Sequence, residues 1–178
     1  AAFPMIDRKD EETMKFTEFN LHEDVQKGID AAGFTDCTPV QEQTITKVLE
    51  GFDILAQSQT GTGKTAAFLV SLFQMFTENR INNKKALIMV PTRELAVQIE
   101  EEARKLGQFL PYRFGSFFGG VGYQKQDMLI ADGVDFYIAT PGRLIDYVKG
   151  GKISLSDIGA VVIDEADRMF DMGFIPDI

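Results

Sequence analysis

Short apolar runs alternate with longer segments of helical periodicity along this chain, and this alternation restricts the possible folds more than any other feature. The apolar runs have the length of β-strands and occupy residues 52–56, 86–90, 114–118, 136–139 and 160–163. Each run is continuous rather than interrupted at every second residue, which is typical of strands covered on both faces in a parallel sheet. The pattern therefore predicts five such strands.

The segments between the runs predict helices. In two of them apolar residues recur at spacings of three and four, at Leu21, Val25, Ile29 and Ala32 and at Leu95, Ile99, Ala103 and Leu106. Gly33 and Gly107 follow these segments as helix stops. Residues 64–76 are apolar almost all round, which predicts a buried helix. Strands alternating with such helices predict an α/β fold with an open, doubly wound, mostly parallel sheet flanked by helices.

Length and composition narrow the class of protein. The 178 residues allow one domain with a sizeable core, which we assign to residues 16–178 after a polar lead-in at residues 1–15. No run approaches the ~20 apolar residues of a membrane helix, and the single Cys37 cannot form an internal disulfide. We therefore expect a cytoplasmic protein without membrane association. The net charge of −9 argues against a broad basic surface for nucleic acid.

The segment QSQTGTGKT, residues 57–65, lies between a predicted strand and a predicted helix. In this context Gly61 and Gly63 allow backbone amides to converge on phosphate oxygens at a helix N-terminus. Lys64 can then reach the β- and γ-phosphates of a nucleotide, and the Thr65 hydroxyl can bind Mg²⁺. The alternative is a glycine-containing turn followed by an ordinary lysine, and Ser58 departs from the general phosphate-loop pattern, which has glycine there.

The segment AVVIDEAD, residues 160–167, is an apolar run that ends in adjacent carboxylates. A carboxylate at the end of a strand beside a phosphate loop can hold Mg²⁺, and the next one can orient or deprotonate a water. We assign the metal to Asp164 and the water to Glu165. The alternative is an acidic helix N-terminus, which the helix dipole favours.

The four letters DEAD at residues 164–167 resemble the signature of the DEAD-box RNA helicases. PTREL at residues 91–95, GG at 119–120, TPGR at 140–143 and GFTDCTPVQ at 33–41 follow the family's order, with the phosphate loop as the sixth motif. GG or TPGR alone also describes a plain turn, so the resemblance rests on the shared order of all six.

The resemblance implies a RecA-like domain that binds ATP with Mg²⁺. The implied ATP-binding residues are Phe16, Gln41, Ser58, Gln59, Thr60, Gly61, Thr62, Gly63, Lys64 and Thr65. Gln41 would read the adenine edge through its amide, and Phe16 would stack on the ring. Phe16 could instead be a core aromatic, and Phe19 could be the stacking residue. The family usually has alanine where this chain has Ser58, so that departure agrees with the family.

The resemblance also implies that RNA is bound through its sugar-phosphate backbone, independently of base sequence. The implied RNA-binding residues are Thr92, Arg93, Gly119, Gly120, Thr140, Gly142 and Arg143. Glycine amides and threonine hydroxyls suit phosphate oxygens and add no charge. An RNA partner is therefore compatible with the net charge of −9.

The family carries a further motif of the SAT type and a second RecA-like domain with an arginine finger, and neither is recognisable here. We therefore expect a domain truncated before its last strands, with almost no ATPase or unwinding activity alone and with an exposed apolar sheet edge that favours self-association. The alternatives are a non-catalytic nucleotide- or protein-binding module and a RecA-like DNA motor.

Two details concern the branch of the family. Cys37 stands where the family most often has proline, and we interpret it as a small apolar residue rather than a redox site. Bacterial helicases that work with RNA-degrading complexes have a similar cysteine. The segments GYQKQ at residues 122–126 and RLIDY at 143–147 also resemble those helicases. Protein partners in RNA processing or degradation are therefore expected.

Overall fold

The computed structural model describes residues 13–57, 63–173 and 176. Seven α-helices and four strands lie in the described part, with a 3-10 helix before the first helix, Phe16–Phe19, and another before the last strand, Leu155–Asp157. In chain order the elements are α1 Glu23–Ala31, α2 Pro39–Leu49, α3 Lys64–Thr77, β1 Lys85–Met89, α4 Arg93–Leu106, β2 Phe114–Phe117, α5 Gln124–Asp132, β3 Phe136–Ala139, α6 Pro141–Lys149, β4 Ile158–Ile163 and α7 Ala166–Asp171.

The four strands form one sheet in the order β2-β3-β1-β4, and every neighbouring pair is parallel. A helix lies between each strand and the next along the chain, which returns the chain to the same end of the sheet. The predicted parallel α/β sheet is confirmed. As a result, all four strands present their carboxyl ends at one edge, where ligands bind in open α/β sheets.

Helices cover both faces of the sheet. One apolar core contains Ala86 and Ile88 of β1 together with buried residues of α1, α3 and α4. The other contains Leu87 and Met89 of β1 together with buried residues of α6 and α7. Alternate residues of β1 thus point into different cores, which explains why its sequence is continuously apolar. In β4 every second residue stays exposed, including Val161 and Ile163.

The predicted strand at residues 52–56 is wrong. Residues 52–57 have no regular secondary structure, and the Leu55 side chain is 100% exposed. An apolar run becomes a strand only when a neighbouring strand takes its backbone hydrogen bonds, and no strand of the described residues pairs with this segment. The outer edge of β4 has no partner strand in the described part either.

Within the described ranges, none of the helices combines the length and the apolar character that crossing a bilayer requires.

Candidate functional site

The carboxyl edge of the sheet brings together the residues that follow the strands. Thr92 follows β1, Gly119 follows β2, Thr140 follows β3 and Asp164 follows β4, each within three residues of the strand end. This proximity results from the parallel arrangement, since the four positions are far apart in sequence. These four predicted site residues therefore lie at one edge of the sheet.

The described part of the phosphate-loop segment consists of Gln57 and residues 63–65, and Gly63 lies immediately before α3. Gly63 has φ +84° and precedes Lys64, the first residue of the helix. Lys64 and Thr65 are both half-buried in the first turn of α3, which places the lysine and the hydroxyl at a helix N-terminus. The predicted ligands Ser58, Gln59, Thr60, Gly61 and Thr62 lie outside the described residues.

Gln41 connects α2 to the end of this segment. Its side chain is only 2% exposed. The amide oxygen accepts a hydrogen bond from the Thr38 backbone N–H at 2.8 Å, and Nε2 donates to the Gly63 carbonyl at 3.3 Å. Beyond these two bonds, the amide keeps a second lone pair on Oε1 and a second N–H on Nε2, which a nucleotide base could use.

Phe16 lies in the core. Its side chain is 1% exposed, and its ring packs against the rings of Phe19 and Phe34 with centroids 6.4 and 6.0 Å away. These contacts correspond to the core role named above as the alternative to stacking on adenine. Phe19 is only partly buried and is the more accessible ring of the pair.

Asp164 directly follows β4, and its carboxyl interacts electrostatically with Lys64 at the start of α3. Its backbone N–H donates to the Met89 carbonyl at 2.9 Å, and its Oδ1 accepts from the Glu165 backbone N–H at 3.1 Å. Burial raises the pKa of the Asp164 carboxyl above its ordinary value, and the nearby Lys64 ammonium opposes that rise. The structure therefore brings together the lysine and the first carboxylate, which are a hundred residues apart.

Glu165 adopts an unusual backbone conformation. It has φ +56° and ψ +45° in the left-handed region and immediately precedes α7, with no side-chain hydrogen bond to the helix. A non-glycine residue in this region carries strain, which is common at functional sites. The Glu165 side chain makes no capping hydrogen bond, and its position directly before α7 is also compatible with the alternative of an acidic helix N-terminus.

The oxygen donors suit Mg²⁺. The Thr65 hydroxyl and the Asp164 carboxylate are hard oxygen ligands, and Mg²⁺ is typically held by one or two such groups together with water and substrate phosphates. A buried carboxylate with a raised pKa also gains from a nearby cation. Among the described residues, no group of three or more His, Cys, Asp or Glu side chains is arranged to hold a metal without a further ligand.

A groove of about 420 Å³ runs beside the ends of β1, β2 and β3. Five of the seven predicted RNA-binding residues line it, together with Pro91, Phe118 and Asp146; these five are Arg93, Gly119, Thr140, Gly142 and Arg143. Thr92 and Gly120 are the chain neighbours of two lining residues. The structure thus gathers residues from three separate motifs along one surface.

The polar groups of the groove residues differ in whether they already have hydrogen-bond partners within the domain. The Thr92 hydroxyl accepts a hydrogen bond from the Leu95 N–H at 3.3 Å and caps α4, whereas the Thr140 hydroxyl makes no capping bond to α6. The Arg93 guanidinium lies over the Phe118 ring, 5.1 Å from its centroid. A Cβ built on Gly119, Gly120 or Gly142 would meet nothing within 4 Å, so the surface beside them is open.

Arg143 is buried, unlike Arg93. It is 7% exposed and donates hydrogen bonds to Gln126 and to the Val121 carbonyl. Gln126 and Tyr123 were not predicted from the sequence as part of this site, although both lie in the GYQKQ segment. Their burial and partners depend on α6, which no local pattern in that segment reveals.

Cys37 is buried, as its interpretation as a small apolar residue requires. Burial, with a further contribution from Glu42, raises the pKa of the Cys37 thiol to about 12. The thiol therefore stays protonated at neutral pH and is a poor nucleophile.

Comparison with known proteins agrees with this arrangement. The chain is 48% identical over 172 residues to a Shewanella piezotolerans protein described as ATP-dependent RNA helicase RhlB, covering 93% of this chain and 39% of the relative. It is 50% identical over 170 residues to a protein of the same description from Xanthomonas oryzae pv. oryzae, covering 92% of this chain and 30% of the relative. The chain thus spans two fifths or less of these curated relatives.

A solved structure shares the fold. The crystal structure of a hypothetical ATP-dependent RNA helicase from Sulfolobus tokodaii superposes with a TM-score of 0.81 at 36% identity, covering 88% of this chain and 45% of that one. The domain is therefore RecA-like. The sequence model of the DEAD/DEAH box helicases matches residues 38–178. The chain belongs to the DEAD/DEAH box helicase family.

Proposed function

We propose that residues 16–178 are the ATP-binding and partial RNA-binding first domain of an ATP-dependent RNA helicase that locally unwinds RNA duplexes. The observation that carries this proposal is that the charge of Lys64, at the start of α3, acts on the carboxyl of Asp164, at the end of β4. The groups that would meet a nucleoside triphosphate and its metal are thus near each other in the fold. The names of the relatives support RNA as the second ligand.

Each nucleotide-site residue has a proposed role. Lys64 neutralises the β- and γ-phosphates, and the Thr65 hydroxyl and Asp164 carboxylate hold Mg²⁺. When bound, Mg²⁺ supplies positive charge to the phosphate oxygens. Glu165 orients or deprotonates the attacking water, and its unused carboxylate is compatible with that role.

The proposed adenine contacts are Gln41 and one phenylalanine. Because the Gln41 amide already contacts Gly63, the same side chain would connect base recognition to the loop that carries the phosphates. The burial of Phe16 favours Phe19 as the ring that reaches a base without repacking of the core.

RNA would follow the groove, contacting Arg93, the glycines and the free Thr140 hydroxyl through phosphate and sugar. Such contacts carry no base information, so we expect binding independent of sequence. The remaining helicase activity would come from a second domain of the whole protein. An arginine finger is worth about 10³–10⁵ in rate, so this chain alone should hydrolyse ATP barely or not at all.

The proposed setting is the bacterial cytoplasm, in a complex that processes or degrades RNA. The similarity to proteins described as RhlB supports the branch of the family. A pull-down from bacterial lysate in which RNase treatment removes every partner would contradict a direct protein partner.

The ATPase rate of the full-length protein tests the main proposal. It should rise with RNA and fall to background in Lys64→Ala and Glu165→Gln, while Lys149→Ala, which removes an exposed charge at the far end of α6, should retain it. Turnover that ignores RNA would exclude the helicase function. Equal stimulation by single-stranded DNA would favour a DNA motor, and nucleotide binding without any turnover would favour a non-catalytic module.

Calorimetry with ADP and GDP tests the adenine contact. We expect tighter binding of ADP, and we expect Gln41→Ala to remove most of this preference. The matched control is Gln43→Ala, which truncates the same side chain on the exposed face of α2. Equal affinity of the unmodified chain for ADP and GDP would contradict the assignment.

A further inference from the structure

The Arg143 guanidinium lies beneath the glycine loop, which we define as residues 119–123. Its NH1 donates to Gln126 Oε1 at 3.0 Å, and its NH2 donates to the Val121 carbonyl at 2.8 Å. The plane of the group also lies on the Tyr123 ring, with Cζ 3.9 Å from the centroid. With 7% of the residue exposed, most of its surface is already in contact with the protein.

Three further hydrogen bonds hold the glycine loop at its ends. Gln126 is itself buried, and its Nε2 donates to the Phe118 carbonyl just before the loop at 3.1 Å. At the other end, the Tyr123 hydroxyl donates to Asp146 Oδ2 at 2.7 Å, and the Tyr147 hydroxyl donates to the Tyr123 carbonyl at 3.4 Å. Arg143 contacts both Gln126 and Tyr123 and so connects the two anchors.

The loop needs such anchors because of its composition. Three of its five residues are glycine, and a Cβ built on any of them would meet no atom within 4 Å. Packing of side chains around these glycines therefore contributes nothing to their order. Glycine loses more conformational freedom on ordering than any other residue, so the loop's shape must come from contacts at its ends and beneath it.

We propose that Arg143 is a positioning residue for RNA: it holds the glycine loop in the shape that the RNA backbone meets, and it does not itself contact a phosphate. The inference rests on the proposed RNA-binding function. It assigns to Arg143 a different role from Arg93, which lies exposed over Phe118 on the same groove. A phosphate contact by Arg143 would require loss of the hydrogen bonds and stacking just described.

The substitution Arg143→Lys distinguishes a role in positioning the loop from a direct contact with phosphate. Lysine keeps the positive charge and can still attract a phosphate, but it lacks the planar fork that joins Gln126 to Val121 and stacks on Tyr123. If Arg143 contacts phosphate, Arg143→Lys should retain most RNA affinity. If Arg143 positions the loop, Arg143→Lys should weaken RNA binding as much as Gln126→Ala, which leaves every charge in place.

The experiment measures binding of the full-length protein to fluorescein-labelled single-stranded oligouridylate by anisotropy over a series of KCl concentrations. We expect Arg143→Lys, Arg143→Gln and Gln126→Ala each to weaken binding about tenfold, with the wild-type slope of log affinity against log salt. The control Lys149→Gln removes an equal charge from the end of the same helix and should bind normally. Arg93→Gln should lower the slope by about 0.7, the value for one lost phosphate contact.

Three outcomes would overturn the inference. A wild-type affinity for Arg143→Lys, with a slope reduced by about 0.7 in Arg143→Gln, would show a direct phosphate contact. An equal rise in the KM for ATP and for RNA in Gln126→Ala would show a general structural role instead of positioning. Losses that simply add in the Arg143→Lys, Gln126→Ala double variant would show that the two residues act separately. A wild-type protein that binds no RNA would instead remove the proposed function, and this inference with it.

Discussion

The burial of Asp164 disfavours the charged form of its carboxyl. Burial raises its pKa, and the Lys64 ammonium only partly compensates. Because the folded-state pKa lies above the unfolded value, the native state holds the proton more strongly. The free energy of unfolding therefore falls as the pH rises from the ordinary carboxyl pKa through the folded-state pKa, and the loss persists at neutral pH. A carboxylate buried at a cost to stability is compatible with the metal-binding role proposed for Asp164.

Asp164→Asn should therefore raise the thermal unfolding midpoint at neutral pH and weaken binding of Mg²⁺-nucleotide. The gain in midpoint should disappear below the ordinary carboxyl pKa of about 3.9, where the carboxyl is neutral in both the folded and the unfolded wild-type chain. Scanning calorimetry at several pH values, with Asp157→Asn as an exposed control, measures the difference. A lower midpoint of Asp164→Asn at neutral pH would mean that attraction to Lys64 outweighs burial.

Gly63 is confined by both its backbone and its neighbour. Its φ of +84° is in the left-handed region, and a Cβ there would lie 2.3 Å from Gln41 Nε2. The Gln41 side chain could move, but only by breaking its hydrogen bonds to Gly63 and Thr38. Glycine is therefore required here for two separable reasons.

Gly63→Ala should lower the free energy of unfolding by about 1–3 kcal/mol, from backbone strain and the displaced amide together. In a Gln41→Ala background the amide is absent, so the cost should shrink toward the backbone strain of about 1–2 kcal/mol. Urea denaturation of both single variants and the double variant measures the coupling. Costs that add without coupling would show that the two residues do not meet.

The close crossing of helices α1 and α4 positions the N-terminal part of the domain. A Cβ on Gly28 of α1 would lie 1.8 Å from the Leu106 carbonyl oxygen at the end of α4. Backbone cannot rotate away as a side chain does. The two helices approach this closely only because residue 28 has no side chain.

Gly28→Ala should lower the free energy of unfolding by about 1–3 kcal/mol because the helices must separate, although alanine is the better helix former. Gly142→Ala is the matched control in α6, since a Cβ there meets nothing within 4 Å. It should be neutral or stabilise by up to about 1 kcal/mol. Equal effects of the two changes in denaturant titrations would contradict the close helix crossing.

Among the strands that the structure describes, β4 lies at the end of the sheet and its outer edge is open. β4 pairs only with β1 among the described strands, and Val161 is 56% exposed on a strand without charged residues. Such an edge presents unpaired backbone groups beside apolar side chains, which promotes pairing with another chain. The self-association expected from the sequence therefore has a defined location.

Val161→Lys should keep this chain monomeric at concentrations where the unmodified chain associates, because an edge lysine disfavours strand pairing. Leu155→Lys introduces the same charge at a residue that is 54% exposed but outside the sheet, and it should not change the association. Light scattering over a concentration series provides the mass. A wild-type chain that stays monomeric throughout would contradict this prediction.

Patterns that depend on neighbours in sequence were sufficient for much of the fold. Continuous apolar runs located β1 and β3 because both faces of these strands are buried, and the three-and-four spacing located α4, which ends before Gly107 as expected. The order of the motifs along the chain was sufficient for the family. These features are written locally, since helix period and strand burial repeat within a few residues.

Strand pairing and side-chain contacts between distant segments became visible only in the folded chain. Residues 52–56 have strand composition but no neighbouring strand, so they form none. Phe16 and Phe19 look equivalent in sequence, and only the folded chain shows that the first is buried in the core, where it also contacts Phe34. Arg143 belongs to a motif, yet its contacts with residues 121–126 come from another helix and loop. Local sequence patterns were thus sufficient for the four strands, for the helices α1, α3 and α4 and for the family. Strand pairing and the burial and partners of single side chains required the folded chain, because they arise from contacts between segments far apart in sequence.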